Sequence, residues 1–389
     1  MKTDSVRPPP LSLYVHLPWC ERKCPYCDFN SFERNADVSE SRYVSALLAD
    51  LDRELDLVDP AERGGIASIY MGGGTPSLFS GSAIARLIDG IQSRTSLASP
   101  CEISIEANPG SSEQSRFRDY RTAGVTRISI GVQSFRDPLL RRLGRVHSGD
   151  DAKRAVKAAA GAGFENINLD LMYGLPGDDS DGSLKDLATA LSFQTPHLSW
   201  YQLTLEPGTA FFRKPPRLQP DDSVTDTETR GRALIARSNL DRYEVSGYAR
   251  QANRCAHNLN YWQFGDYIGI GAGAHGKITT DRGRIIERME KHRNPITYMD
   301  AALAATATAT ARRATIGRDD VAMEFMMNVL RLIDGVDLTL LQRRTGIKPC
   351  TIQNALSTAR QRGWLDQNTQ RIMATASGRN VLNQIITLF

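Results

Sequence analysis

The sequence predicts an α/β fold in which a curved, open partial (β/α)6 barrel precedes a smaller C-terminal winged-helix-like α+β domain. Short β-branched runs alternate with helical stretches through residues 11–240, and this alternation favours parallel strands joined by right-handed crossovers. Six such units can be counted, fewer than the eight that close a barrel. The carboxyl ends of parallel strands meet at one rim, so we expect the functional residues there.

The predicted barrel strands are runs rich in β-branched residues. The first covers residues 11–16, and the others begin at Ile66, Cys101, Thr126, Phe164 and Leu198. Residues 39–57 are predicted as the first helix, because apolar residues recur at helical spacing behind a serine. The proline-rich residues 205–220 predict a loop over the barrel mouth, and residues 221–240 predict a helix.

The remaining chain divides into three segments. Residues 1–10 are polar and proline-rich, which is typical of a loose leader. Residues 241–312 form a connecting region, and the Ala/Thr-rich stretch at its end is typical of a helix end or a linker. Residues 313–389 predict three helices and a strand pair, which is winged-helix patterning. The basic residues of this domain are more typical of a solvated helix face than of a nucleic-acid surface, so no nucleic acid is expected.

Composition narrows the class of protein. The chain has 389 residues, of which 41% are hydrophobic and 24% charged, values typical of a soluble globular protein. Its net charge of +4 is too small to indicate a nucleic-acid partner by itself. No apolar run is long enough for a membrane span, and the first residues lack the apolar segment of a signal peptide. We therefore expect a cytoplasmic protein with reduced thiols.

The pattern CxxxCxxC follows the first predicted strand as Cys20, Cys24 and Cys27. Three thiolates at this spacing can hold three irons of a [4Fe-4S] cubane and leave the fourth iron open, whereas a structural zinc site closes with four ligands. A disulfide framework fits poorly, because three is an odd number and the chain has few other cysteines. A zinc site completed from elsewhere in the chain stays open as the alternative.

Polar and glycine residues recur at the ends of the later strands. They are Gly72, Gly73 and Gly74 after the second strand, Glu106 after the third, Gln133 after the fourth and Asp170 after the fifth. Glycines let backbone amides approach a ligand, although a tight turn would explain them equally well. Taken together around one rim, these residues predict a pocket. The later run YIGIGAGAHG lacks the acidic residue and the βαβ context of a dinucleotide site.

Several longer motifs make the chain similar to a known family. The motifs LYVHLPWC, GGGTP, SIEANPG, GVQSF, DLMYGLPG and IGIGAGAHG resemble those of the oxygen-independent coproporphyrinogen III oxidase family (HemN-like) of radical S-adenosylmethionine (SAM) proteins. Oxidases of this family carry a further cysteine where this chain has Phe29, and a longer N-terminal extension. The chain instead carries HNxxYW, as His257, Asn258, Tyr261 and Trp262, so it is most similar to the haem-chaperone (HemW) branch. Oxidative decarboxylation of coproporphyrinogen III is the alternative activity, and the enzyme class stays open.

The resemblance implies a set of binding residues. Cys20, Cys24 and Cys27 would ligate the cluster. SAM contacts are implied at Tyr14, Tyr26, Gly73, Gly74, Thr75 and Glu106, and the oxidases hold a second SAM at positions that match Gln133, Arg145 and Asp170. His275, in the second glycine-rich run, is a further candidate for a SAM contact.

The resemblance also implies haem and protein partners. His257 is the candidate haem ligand, since a neutral imidazole is a usual axial donor to haem iron and Tyr261 and Trp262 offer flat apolar surfaces. Cys255 is a rival thiolate ligand. Alternatively, His257 binds no ligand and is held by local hydrogen bonds under aromatic side chains. The implied partners are haem-accepting apo-proteins, among them respiratory enzymes at the membrane, and an electron donor for the cluster. The sequence leaves dimerisation open.

Overall fold

A mixed sheet of twelve strands organises the part of the chain that the computed structural model describes, residues 8–34, 39–58, 60–280 and 285–389. In chain order its strands are β1 (Leu11–Leu17), β2 (Ile66–Gly73), β3 (Leu97–Ala107), β4 (Arg127–Gln133), β5 (Asn166–Tyr173), β6 (His197–Gln202), β7 (Asp241–Arg242), β8 (Gly247–Ala249), β9 (Asp266–Ile270), β10 (His275–Thr280), β11 (Ile285–Lys291) and β12 (Thr310–Thr315). Their order across the sheet is β12-β11-β10-β9-β1-β2-β3-β4-β5-β6-β8-β7.

The predicted six-unit partial barrel is confirmed. Strands β1 to β6 are neighbours in chain order and every pair among them is parallel. The first helix spans Glu40–Leu55, and the hydroxyl of Ser39 caps it by accepting a hydrogen bond from the Arg42 amide. Most residues of β1 are buried on both faces, as expected of a parallel sheet with helices outside and side chains filling the barrel. Residues 1–7 of the predicted leader lie outside the described residues.

Both edges of the sheet carry further strands, and all of them except β9 are antiparallel to their neighbours. On one edge β8 and β7 follow β6, and on the other β9 runs parallel to β1 and is continued by antiparallel β10, β11 and β12. The interpretation of the Ala/Thr-rich residues 301–313 as a helix end or linker was therefore wrong for the last four of them, which belong to β12, Thr310–Thr315. That segment pairs with β11 as an edge strand, where exposed threonines and arginines are well tolerated and pairing outweighs weak local propensity.

The helices cover the outer face of the barrel and form most of the C-terminal part. Described α-helices span Glu40–Leu55, Gly81–Gln92, Ser111–Gln114, Phe117–Thr122, Asp137–Arg142, Gly149–Gly161, Ser180–Ser192, Ala210–Arg213, Asp221–Ile235, Ala256–Trp262, Pro295–Leu303, Val321–Val329, Thr339–Thr345, Gln353–Gln361, Ala376–Arg379 and Leu382–Ile386. Among the described residues, no helix is both long and apolar enough to traverse a lipid bilayer.

A second hydrophobic core supports the C-terminal part. It joins the predicted three helices to Phe264 and Ile286 of the connecting region. The predicted strand pair is reduced to one antiparallel bridge between Leu365 and Ala374, because Arg371–Ile372 pairs with Val336–Asp337 instead. The domain boundary at residue 313 stays a prediction, since β12 spans that point.

The helix Ala256–Trp262, which we call the motif helix, lies across the amino-terminal ends of the central strands. The side-chain amide of Asn260 donates to the hydroxyl of Ser12 and to the backbone carbonyl of Asp266, both at 2.9 Å. At the start of the helix, the Ala256 amide donates to the carboxylate of Glu102 at 3.0 Å. These contacts with β1, β9 and β3 fix the helix against the concave face of the sheet.

A buried lysine ties the extension to the first helix. The ammonium of Lys291 on β11 lies 2.6 Å from a carboxylate oxygen of Asp50 and 2.5 Å from one of Glu54, and all three side chains are almost completely buried. Burial raises the pKa of Asp50, and the lysine opposes that shift. The lysine is therefore what allows two carboxyl groups to share this interior position.

We predict that Lys291→Met lowers the free energy of unfolding of the apo-protein by about 3–5 kcal/mol, because it leaves two buried carboxyl groups without their cation. Urea denaturation measures the change. The control is Lys153→Met, which removes an exposed ion pair with Asp150 and should change stability by less than about 0.5 kcal/mol. Equal effects of the two substitutions would contradict this account of the lysine.

Candidate functional site

A cavity of about 300 Å³ opens at the carboxyl ends of the barrel strands. Its lining includes all three motif cysteines and most of the predicted SAM contacts: Cys20, Cys24, Cys27, Tyr26, Gly74, Thr75, Glu106, Gln133, Arg145 and Asp170. The structure thus brings together residues that lie as far as 150 positions apart in the chain. The predicted contacts Tyr14 and Gly73 are not part of this lining. They contact residues that are, because the Tyr14 ring stacks on Tyr70 and the Gly73 amide donates to Glu106.

The cysteine loop is closed by local backbone pairing. Trp19–Cys20 pairs in parallel with Phe32–Glu33, and the ammonium of Lys23 donates to the carbonyls of Phe29 and Ser31 at 3.1 and 3.2 Å. All six cysteines of the chain are free thiols. Burial raises the pKa of Cys20 and of Cys27, so binding of a metal cluster would displace their protons.

The glycine turn is shaped by its contact with the cysteine loop. Gly73 has a φ of +113°, and a Cβ there would lie 2.4 Å from the His16 ring. A Cβ on Gly74 would lie 2.7 Å from the backbone of Pro18 and of Trp19. Packing within the protein therefore accounts for these glycines, and Gly74 and the buried Thr75 also line the cavity.

Two carboxyl groups face the cavity from neighbouring parts of the rim. Glu106 accepts hydrogen bonds from the Tyr70 hydroxyl at 2.9 Å and from the Gly73 amide at 3.2 Å. Burial and, to a lesser extent, Asp170 raise the pKa of Glu106 to about 7. Asp170 accepts from Ser129 at 2.9 Å and from Asn168 at 2.8 Å, and burial raises its pKa as well. Both groups can accept hydrogen bonds from a ligand amine or hydroxyl.

Arg145 links the two halves of the rim. Its guanidinium donates to Asn108 at 2.6 Å and to the Gly131 carbonyl at 2.9 Å, and reaches the sulfur of Cys24 at 3.8 Å. Its Nε is buried without a hydrogen-bond partner among the described residues. Gln133 adopts a positive φ of 65°, and its side-chain oxygen accepts from the Tyr201 hydroxyl at 2.9 Å.

Sequence reasoning missed several residues of the lining. They are Arg22, Tyr70, Asn108, Ser129, Ser199, Tyr201 and Ser246. Tyr70 lies three residues before the predicted contact Gly73, and Asn108 lies two residues after Glu106, so their positions on β2 and after β3 were a usable signal. Ser246 lies between β7 and β8, which were not predicted as strands, so no sequence signal placed it at the cavity.

His257 faces the interior of the barrel below this cavity. Its ring centroid lies 5.1 Å from that of Tyr70 and 6.1 Å from that of Tyr14, and its Nδ1 lies 3.4 Å from the hydroxyl of Ser68. Burial lowers the pKa of His257 to about 4. The imidazole is therefore neutral at physiological pH, and Tyr70 connects it to Glu106.

The other half of the HNxxYW motif faces a different space. Tyr261 and Trp262 line a larger cavity of about 660 Å³, and His257 is not part of that lining. Their rings pack against each other at 4.9 Å, and Tyr261 also packs on Tyr267 at 5.4 Å. The structure therefore does not bring His257, Tyr261 and Trp262 around one ligand position.

The remaining candidates divide between the two cavities. His275 lines the larger cavity and is absent from the lining of the smaller one. Cys255 is buried with its sulfur 3.6 Å from the Glu102 carboxylate, and burial raises its pKa to about 12. Cys255 lines neither cavity, so this thiol does not reach a ligand in either of them in this conformation.

The smaller cavity has the donor set that an iron-sulfur cluster and SAM require. Three thiols on its rim are soft donors of the kind that hold such clusters. The carboxyl groups of Glu106 and Asp170 suit the amine and hydroxyl groups of SAM, and the guanidinium of Arg145, with its unpaired Nε, suits a carboxylate.

Comparison with known families divides the chain into two matched parts. The model of the radical SAM superfamily matches residues 14–188. The model described as the HemN C-terminal domain matches residues 316–381. The first match contains the three cysteines and every predicted SAM contact except the candidate His275. The second contains the helices from Val321 to Arg379.

Comparison with curated proteins finds relatives along the whole chain. "Heme chaperone HemW" of Escherichia coli (strain K12) is 44% identical over 384 residues, which is 99% of either chain. The protein of the same name in Mycobacterium tuberculosis (strain H37Rv) is 34% identical and covers 97% of this chain and 94% of its own.

A solved structure shares the fold. Coproporphyrinogen III oxidase (HemN) of Escherichia coli matches with a TM-score of 0.81 over 99% of this chain and 91% of its own, at 21% identity. The likeness confirms the predicted radical SAM fold with its added C-terminal part. From the motifs, the fold and the full-length relatives together, we conclude that this chain belongs to the HemW family of radical SAM proteins.

Proposed function

We propose that this protein is a haem chaperone, which binds haem and passes it to apo-proteins. The observation that carries the proposal is the intact HNxxYW motif on the motif helix, in a chain whose full-length relatives are named heme chaperones. The acceptors we propose include respiratory enzymes at the membrane. A soluble carrier needs a site that shields the apolar macrocycle from water and still releases it.

The smaller cavity is the proposed site of a [4Fe-4S] cluster and SAM, which the radical SAM family implies. Cys20, Cys24 and Cys27 would hold the cluster, and Tyr26, Gly74, Thr75 and Glu106 would contact SAM. When bound, such a cluster supplies one electron and SAM supplies the sulfonium that accepts it. The residues of the cavity would position SAM. Glu106 would accept hydrogen bonds from its amine or hydroxyl groups, and Arg145 would bind its carboxylate.

We predict that SAM binds more tightly as the pH rises through about 7, because the pKa of Glu106 is about 7 and its carboxylate form is the better acceptor. Glu106→Gln should weaken SAM binding about tenfold or more and remove this pH dependence. Equilibrium binding to reconstituted protein between about pH 6 and pH 8 measures both effects. Glu206→Gln, outside the cavity lining, is the control, and a pH slope that survives in Glu106→Gln would contradict the assignment.

Ligation of haem iron by His257 stays a prediction. The neutral imidazole favours this ligation, because burial lowers the pKa of His257 to about 4. The packing of the ring between Tyr14, Tyr70 and Ser68 opposes it, because a macrocycle would have to displace these side chains. On the other face of the motif helix, Tyr261 and Trp262 line the larger cavity.

The direct test of the proposed function is a titration of purified, cluster-reconstituted protein with haemin. We expect a Soret band that saturates near one haem per chain, followed by transfer of that haem to an apo-haemoprotein added in excess. Protein that develops no Soret band, or that never releases haem, would overturn the proposal.

The alternative function is oxidation of coproporphyrinogen III. The chain shares the fold of HemN, but it has an exposed phenylalanine, Phe29, where the oxidases have a further cysteine. We expect no protoporphyrinogen from an anaerobic assay with reconstituted cluster, SAM, reductant and coproporphyrinogen III. Formation of that product would favour the oxidase assignment over the chaperone.

A further inference from the structure

A buried polar layer crosses the barrel below the smaller cavity. Ser129 on β4, Asn168 on β5 and His197 on β6 are register partners on three neighbouring parallel strands. Their side chains are almost completely buried, whereas the interior layers of β/α barrels consist mainly of branched apolar side chains. Burying polar groups is costly unless each finds a hydrogen-bond partner. A polar layer at this depth therefore indicates a role beyond packing.

The polar layer holds the carboxylate of Asp170, which lines the cavity. Asp170 lies two residues after Asn168 on β5, so both side chains are on the same face of the sheet. One carboxylate oxygen accepts from the Asn168 amide nitrogen at 2.8 Å, and the other accepts from the Ser129 hydroxyl at 2.9 Å. The Asn168 nitrogen also donates to Ser129 at 2.7 Å. These donors fix the plane of the carboxylate and leave its other lone pairs for a ligand in the cavity.

The carboxylate sets the direction of the hydrogen bonds behind it. Because a carboxylate only accepts, the Asn168 amide turns its nitrogen to Asp170 and its oxygen to His197. That oxygen lies 2.5 Å from Nδ1 of His197, so Nδ1 carries the imidazole proton. The Ser199 hydroxyl lies 3.2 Å from the same oxygen, but a hydroxyl rotates and either donates or accepts. The sequence of contacts from Tyr243 through His197 and Asn168 to Asp170 is called the positioning chain below.

His197 is suited to this chain because its imidazole stays neutral. Burial lowers the pKa of His197 well below its usual value, and the nearby Arg127 cation lowers it further. A neutral imidazole offers one donor and one acceptor. With the proton on Nδ1, the acceptor is Nε2, which lies 2.9 Å from the Tyr243 hydroxyl. That hydroxyl accepts from the Cys255 amide at 3.4 Å, so its own hydrogen is free to point to Nε2.

We propose that His197 and Asn168 are positioning residues for the ligand of the smaller cavity. His197 holds the Asn168 amide, and Asn168 together with Ser129 holds the Asp170 carboxylate as an acceptor for an amine or hydroxyl of SAM. Neither His197 nor Asn168 lines the cavity, so both act through Asp170. This inference rests on the proposed binding of SAM in the smaller cavity, and it extends that site by one layer into the barrel.

Two substitutions of His197 separate hydrogen bonding from space filling. Leucine has nearly the volume of histidine but no donor, whereas asparagine is smaller and places an amide nitrogen where Nδ1 was. We expect His197→Leu to weaken SAM binding about fivefold or more, and His197→Asn to stay within about twofold of the unchanged protein. The control is Thr195→Val, which removes a buried hydroxyl that donates to the His197 carbonyl at 3.2 Å and should leave SAM binding unchanged. Equilibrium binding to reconstituted protein measures each affinity, and circular dichroism checks folding.

A double-mutant cycle tests whether His197 acts through Asp170. Asp170→Asn should weaken SAM binding by itself, and adding His197→Leu should weaken it by less than about twofold further, because the carboxylate that the chain holds is already absent. Nitrogen NMR of the reconstituted protein with isotope-labelled histidine examines the tautomer without any substitution at the site. The His197 ring, identified by the signal that disappears in His197→Asn, should carry its proton on Nδ1.

The outcomes separate the positioning chain from the SAM site. Normal SAM binding by His197→Leu, weaker binding by His197→Asn than by His197→Leu, a full further loss in the double variant, or a proton on Nε2 would each overturn the chain while SAM stays in the cavity. Normal SAM binding by Asp170→Asn would also overturn it and would assign the polar SAM contacts to Glu106 and Arg145. Failure of the unchanged, reconstituted protein to bind SAM would overturn the proposed SAM site and the chain together.

Discussion

The attachment of the motif helix to the amino-terminal ends of the barrel strands is the constraint on which the rest of the site depends. The Asn260 amide bridges β1 and β9, and Glu102 on β3 holds the start of the helix. One short helix therefore spans several strands and closes the interior of the barrel from below. Its first turn completes the space beneath the smaller cavity, whereas Tyr261 and Trp262 in its last turn line the larger cavity.

Buried charge fixes the strands β9 to β11, which extend the sheet beyond the barrel. Asp266 on β9 contacts Lys277 at 2.7 Å and Arg63 at 2.5 Å. Burial would raise its pKa, but these two cations outweigh that effect and lower it. Because the folded-state pKa is lowered, this carboxylate stabilises the fold at neutral pH and the contribution is lost as pH falls through that value. Together with Lys291, Asp266 anchors the added strands to the barrel.

Much of the barrel could be predicted from sequence, because its strands are β-branched runs and its rim residues follow them directly. The resemblance to the family predicted the cofactors and the residues that contact them. Three of these residues, Glu106, Arg145 and Asp170, do line one cavity. The larger cavity could not be predicted. Part of its lining comes from Thr310–Thr315, which forms a strand only by pairing with β11. Another part comes from the helix Val321–Val329, and which of its faces is open depends on the second core. The orientation of the His257 side chain could not be predicted either, because a motif specifies residue types and spacing but not what surrounds each side chain.

The binding of a [4Fe-4S] cluster and SAM in the smaller cavity is the central claim, and a crystal structure of the cluster-reconstituted protein with SAM tests it most directly. An anomalous difference map at the iron edge should show the cluster at Cys20, Cys24 and Cys27, with SAM between Glu106 and Arg145. Iron bound away from these cysteines, or SAM bound outside this cavity, would contradict the claim.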